Sequence, residues 1–539
     1  MRHWRSLPVL LALATGCGVP LDDAPPPGEQ ESSLELGASA TWEPCGTTAR
    51  LLGDLAPGVT GSEPGNLVRG ESVLFFTADD GVHGRELWKS SGTRGAGTFL
   101  VKDIHPGAAG AEPTHLTVVG DKTFFVADDG VHGRELWVSD GTTAGTFLVK
   151  DIHPGAAGAE PTHLTVVGDK TFFVADDGVH GRELWVSDGT TAGTFLVKDI
   201  HPAPEDLGPS ELLEFKGVLY FAANDGVNGR ELWRSDGTPA GTFMVEDLNS
   251  LGSSSPRRMV RAPNALYFVG SVGEEVKLWR SVGVPGATAI LERFEDNVIF
   301  SLTPVGSDLL FFLVDPDEGE ADMWVTRGTL ASTHKLRFFP GRYPHDLTAF
   351  NGKLYFSAGR ARSDSPGDPR GEELWVSDGT ESGTKRLMDI NPGAADSSPA
   401  GLRVMNGRLF FAADDGVHGR ELWVSDGRTS GTHLVKDLEP GAAGSSPTEL
   451  APIQGTLFFS AETAGRGREP WVSDGTATGT GTETGTGTRA LTEIAPGAMG
   501  SGPSRFIRSG WDVFFTAEDG AHGRELWALP FRPGGRCGP

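Results

Sequence analysis

Apolar residues in this chain come in short runs, such as "TFFVA" (171–175) and "TFLV" (194–197), each bounded by Gly, Pro, Asp or Asn. No window keeps a 3.6-residue apolar period for more than a few residues. The pattern therefore predicts many short strands joined by turns and excludes a solenoid of helix pairs. In "RELWVS" (182–187) the residues alternate, so Glu183 and Trp185 share one face of a strand while Arg182 and Leu184 share the other. Around it lie three more strand-like pieces, "HLTVVG" (163–168), "KTFFVA" (170–175) and "TFLVKDI" (194–200). Gly168-Asp169, "DDGVHG" (176–181) and "SDGTTAGT" (187–194) supply the turns between them, since Asp and Gly favour the backbone angles a hairpin needs.

This four-strand unit recurs. The Trp of the ELW motif stands at Trp88, Trp137, Trp185, Trp233, Trp279, Trp324, Trp375, Trp423, Trp471 and Trp527, at spacings of 45 to 56 residues, and residues 96–154 are identical to 144–202. Four antiparallel strands in about 48 residues is the size of one β-propeller blade. The tenth unit breaks off after Trp527 in "ALPFRPGGRCGP" and lacks its fourth strand, whereas "CGTTARLLGDLAPG" (45–58) matches the fourth strand and link of the others. The amino end thus supplies what the carboxyl end lacks, as a closed ring requires. The expected fold is an all-β propeller of about ten four-stranded blades closed by an N-terminal strand. Two five-bladed rings are the alternative, because units five and six are the most degenerate and lie mid-chain.

The formal charge of −26 disfavours nucleic acid and anionic lipid as partners. Residues 1–16, "MRHWRSLPVLLALATG", carry two Arg, an apolar run shorter than about 20 residues and small residues, which is an export signal and not a membrane span. "LATGC" resembles a bacterial lipobox, which implies lipidation at Cys17. Residues 17–40 then read as a lipidated Cys and a flexible, Pro-rich tether, and 41–539 as the folded part. Cys45 and Cys537 flank the place where the two ends would meet, and an exported protein permits a disulfide there.

Candidate chemistry is sparse. The repeated Trp reads as packing between blades, with sugar stacking as the alternative. The Asp three places after it, as in Asp140 and Asp188, reads as a turn acceptor. The loop "ADDGVHGRE" offers carboxylates suited to Ca²⁺ at Asp128, Asp129, Asp176 and Asp177, although a turn satisfied by its own charges is the simpler reading. One loop His per blade keeps such residues too far apart for a zinc site. There is no HExxH, GxSxG or P-loop. The irregular stretch after unit six groups Arg342, Tyr343, His345, Asp346, Arg360 and Arg362, which form a possible ligand rim.

The motif "ELWVSDGTTAGTFLVKDI" resembles the bacterial ELWxxDGT-repeat proteins, over about residues 45–530, with departures at Lys277, Asp322 and Pro470. The resemblance implies an exported, propeller-like fold and no established activity. The expected function is a non-catalytic binding or scaffold module, lipid-anchored at the outer membrane and facing the periplasm or the cell surface, or else secreted. A protein or glycan is the expected ligand, the membrane is met only through the lipid, no cofactor beyond Ca²⁺ is implied, and the chain is expected to be a monomer. The alternatives are a secreted propeller enzyme acting on glycans and a calcium-stabilised adhesin.

Overall fold

A computed structural model describes residues 42–95, 97–203, 208–295, 298–307, 309–315, 320–340, 343–359, 371–477 and 487–534. Ten antiparallel sheets follow one another along the chain, and in the first nine the four strands stand in the order of the sequence. Blade 3 shows the plan: Thr162–Val167, Lys170–Asp176, Arg182–Ser187 and Phe195–Lys198, with Phe173 opposite Trp185 and Trp185 opposite Leu196.

The tenth blade closes as the sequence requires. Ser504–Ser509, Asp512–Glu518 and Arg524–Pro533 are completed by Arg50–Leu51, with Arg50 opposite Ala528 and Leu51 opposite Trp527. A second N-terminal piece, Trp42–Pro44, extends the same edge, with Trp42 opposite Pro533. Side chains lock this seam. Arg50 meets the Asp512 carboxylate at 2.6 Å and the Gly92 carbonyl. Trp42 stacks on Trp511 at 5.5 Å and on Phe531 at 5.6 Å, and the Arg508 guanidinium lies 4.7 Å from its ring centre.

The innermost strands run round one circle. Each lies against the next, the degenerate blades 5 and 6 included, and Ser504–Ser509 lies against Gly65–Arg69. The two-ring alternative does not hold: the innermost strands of blades 5, 6 and 7 adjoin in series like the rest, so nothing divides the circle.

Ten apolar clusters fill the ten gaps between blades. In each, the ELW-position Trp of one blade packs on the blade before it. Between blades 2 and 3, for example, Phe124, Leu136 and Val138 meet Phe173, Ala175 and Trp185. Trp185 is 5% exposed, so the packing reading holds. Burying such a side chain is worth at most about 4–6 kcal/mol. The Asp of the SDGT turn is likewise structural: Asp140 Oδ1 accepts from the Thr142 amide and hydroxyl, both at 2.7 Å, while Ser139 and Thr146 share a buried hydroxyl pair. Blades 5 and 6 lack that Asp yet keep the pair, as Ser281 with Thr288 and Thr326 with Thr333, so the turn survives there.

The Glu of ELW has a role that alternation alone conceals. It is buried in eight blades. Glu373 accepts from the amides of Ile390 and Asn391 and from the Ser397 hydroxyl, all in the link to the next blade. Glu135 does the same for His153 and Ala159. Link backbone that would otherwise bury unpaired N–H groups finds its acceptor in this carboxyl. Burial lifts Glu86, Glu135, Glu183 and Glu373 to about 7, against the pull of those same amides.

Candidate functional site

Each link ends, in nine of the ten blades, in Pro, two residues and a large apolar residue, as in "PTHL" and "PSRF". The residue two after the Pro opens the innermost strand in the left-handed region: Asn66, His115, His163, Glu211, Arg258, Asp346, Gly401, Glu449 and Arg505 have φ between 49° and 67°. The strand register slips at the same point, for example between Thr114 and Thr117 and between Ser504 and Ile507. Blade 6 slips between Ile299 and Ser301, with Phe300 in the gap. A left-handed backbone costs a residue with a Cβ about 1–2 kcal/mol. Here it recurs at one position on side chains with nothing else in common. The Arg before the ELW Glu braces it: Arg134, Arg182 and Arg230 donate to Thr114, Thr162 and Ser210 at 2.6–2.7 Å, and to the carbonyls just before them.

These residues form a collar on the axial channel. Ten innermost strands, each within 8 Å of the next, enclose a backbone circle up to roughly 25 Å across. Neighbouring blades are stapled along the collar. Glu211 accepts from the Met259 amide (3.1 Å), Asp346 from Gly401 (3.3 Å) and Glu449 from Arg505 (3.0 Å). Arg258 donates to the Phe300 carbonyl and Asn66 to that of Pro113. His115 and His163 are solvent-accessible, yet the surrounding protein desolvates them and, with Arg134 and Arg182 next in effect, lowers both, so they are neutral imidazoles at neutral pH.

Blade 7 departs most. Glu372 stands where seven other blades carry Arg, and His345 stands where they carry Thr, Ser, Gly or Ala. His345 Nε2 binds Glu372, its Nδ1 lies 3.1 Å from Asp346, and Ser357 donates to the same Glu372 oxygen. Its two carboxylate partners, Asp346 first, raise His345 to about 9. Tyr343 donates to Asp315 at 2.7 Å and packs edge-on against Phe300.

Of the residues named for a ligand rim, His345 and Asp346 therefore meet at the start of blade 7 and Tyr343 turns to Asp315 and Phe300 of blade 6, while Arg342, Arg360 and Arg362 lie outside the described residues. So do Cys17 and Cys537; Cys45 is not a free thiol, and its amide donates to the Pro530 carbonyl. The carboxylates named for Ca²⁺ serve their own turn. Asp128 accepts from Gly130, and Asp129 accepts from Val131 and His132 while its second oxygen holds the His132 ring at 2.7 Å. Asp176 and Asp177 repeat this. Among the described residues no group of three or more His, Cys, Asp or Glu could hold a metal ion, and no helix is long and apolar enough to cross a membrane. Asn66, His115, His163, Glu211, Arg258, Glu449 and Arg505 went unnoticed in the sequence. The signal was there: a fixed Pro and a fixed apolar residue bracket a position that never settles.

No family model and no curated protein matches the chain. Solved structures that resemble it include a puromycin hydrolase, with a TM-score of 0.30 and 14% identity over 65% of this chain and 58% of that one. Oligopeptidase B from Leishmania major gives 0.34 and 10%, over 67% and 53%. The β-propeller domain of the Trilobed protease from Pyrococcus furiosus gives 0.28 and 12%, over 71% and 98%. This chain thus spans little more than half the length of the first two. Scores and identities this low assign no activity, and the fold stands on the strand pairing alone.

Proposed function

We propose that this protein is an exported binding module that takes a protein or glycan ligand in the mouth of its axial channel. The observation that carries this reading is the collar. One strained backbone geometry is kept in nine blades while the side chain on it changes from Asn to His, Glu, Arg, Asp or Gly. A scaffold held constant beneath a varied contact set is what recognition of an asymmetric ligand needs, and repetition alone would have made the collar uniform. A hydrolytic role finds less support, because His345, held as an imidazolium between two carboxylates, cannot act as a general base near neutral pH.

The rest of the reading follows from the sequence. The leader and Cys17 support a lipid anchor at the outer membrane, with residues 18–40 as tether and a monomeric propeller beyond it. Cys45 pairs with Cys537 in this reading; the hydrogen bond from its amide to the Pro530 carbonyl sets it beside the last strand, seven residues before that cysteine. The likeness of the repeat to the ELWxxDGT proteins agrees with export. The test is a screen of the full-length protein on glycan and peptide arrays. Capture of a ligand that Glu211→Ala or Asp346→Ala weakens at least tenfold supports the reading. Binding indifferent to both substitutions overturns it.

A further inference from the structure

Where blade 10 meets blade 1, the collar opens into a cavity of about 430 Å³. Arg85, Arg505 and Arg524 line it, against the single acidic residue Glu63, in a protein whose formal charge is −26. Local cation excess in so acidic a chain runs against its general field.

Gly65 borders this cavity. In blades 2, 3, 4 and 9, the Arg before the ELW Glu donates to a Thr or Ser hydroxyl at the head of the innermost strand. Blade 1 has Gly65 there, so Arg85 keeps its bond to the Glu63 carbonyl, and its Nε lies 4.0 Å from the Glu112 carboxylate, but Gly65 offers it no hydroxyl. A Cβ placed on Gly65 would stand 3.4 Å from Arg505 Nη1 and 4.0 Å from Arg85 Nη1, so both guanidinium groups border the space that glycine vacates. Gly65 is not in the left-handed region, so its backbone does not demand glycine. Among the described residues the Arg505 guanidinium has no hydrogen-bond or ion-pair partner. Arg524 is held in place by the Gly502 carbonyl and Thr516.

Around the cations lie Asn66, Thr77, Ser504 and Thr516. Their amide and hydroxyl groups suit a polyol, and guanidinium forks suit a carboxylate. The volume fits a small molecule. A long polyanion would meet the repulsion of the whole surface, whereas a single carboxylate meets far less of it.

We infer that this cavity is a subsite for a sugar acid, with the carboxylate on Arg505 and Arg85 and the hydroxyls on the Asn66, Thr77, Ser504 and Thr516 side. The inference rests on the channel-mouth reading above and names the ligand chemistry of one segment of the collar. Calorimetric titration of the full-length protein with glucuronate tests it, with glucose and inorganic phosphate as the neutral and inorganic comparisons. Glucuronate should bind at least tenfold more tightly than either. Gly65→Thr restores the hydroxyl found in other blades and fills the space. It should reduce glucuronate affinity at least tenfold with an unchanged melting curve, as should Arg505→Gln, while Phe147→Ala on an outer strand changes nothing. Equal binding of glucose, equal or tighter binding of phosphate, or indifference to Gly65→Thr overturns the assignment. If glucuronate fails while an array ligand still depends on Glu211 and Asp346, this inference falls and the channel-mouth reading stands.

Discussion

Removing the Glu373 carboxyl should loosen the link between blades 7 and 8 more than any exposed substitution. In Glu373→Ala the amides of Ile390 and Asn391 and the Ser397 hydroxyl lose their acceptor inside a buried turn. Each unsatisfied buried group costs about 1–3 kcal/mol, and partial rewetting leaves a combined loss of about 3–5 kcal/mol. Glu373→Gln keeps one acceptor oxygen and should cost about 1 kcal/mol. The same carboxyl carries a pH dependence. Burial raises it from 4.5 to about 7, and Asp389 adds to the push. The neutral form is the one the fold prefers, so its contribution is complete below about pH 4.5 and is lost as pH rises through 7. That displacement corresponds to an upper bound of about 3 kcal/mol. Hydrogen exchange of peptides covering 387–400 reads the effect locally, and this stretch of sequence occurs once in the chain. Wild-type protection, corrected for intrinsic rates, should fall between pH 5 and pH 8. Glu373→Gln should flatten that dependence, and Glu373→Ala should lower protection at both values. Wild-type protection of the link in the alanine variant would refute the acceptor role.

Three further outcomes follow from the geometry. Trp423→Ala opens a void between blades 7 and 8, where the ring is 5% exposed against Leu374 and Val376, and should cost about 3–5 kcal/mol, read as a lowered denaturation midpoint. His345 should titrate near 9 by NMR and fall only part of the way towards 6.5 in Glu372→Gln, where Asp346 still pairs with it; a wild-type value near 6.5 would remove the argument against its acting as a base. Because Asp129 and Asp177 are occupied by the amides of the next turn residues, Val131, His132, Val179 and His180, and by the His132 and His180 rings, a chelator should leave the melting temperature unchanged, and a drop on chelation would favour the calcium-stabilised alternative.

The ring was legible because its evidence is periodic. Ten Trp residues at near-constant spacing and one strand displaced to the amino end determine the blade count and the closure, and Leu51 lies opposite Trp527 as that logic demands. The extra clasp of Trp42–Pro44 was not foreseen, since Trp42 and Trp511 belong to no repeat and their stacking depends on where the seam falls. The role of the ELW Glu was hidden for a different reason. Alternation along "RELWVS" places Glu183 and Trp185 on one face but does not say that a link folds back over the carboxyl. The collar does not repeat in letters: Asn66, Glu211, Arg258 and Arg505 share a backbone shape, not a residue type. Blade 7 was visible in part, because Tyr343, His345 and Asp346 are irregular against the repeat, but Glu372 reaches His345 from 27 residues later, just before the strand Glu373–Ser377.

A structure of the full-length protein bound to its strongest array ligand tests the central claim most directly. The account predicts ligand density in the channel mouth, in contact with collar residues from at least two blades, Glu211 or Asp346 among them. Density seated instead on the outer strands, or on the faces of the SDGT turns, would contradict it.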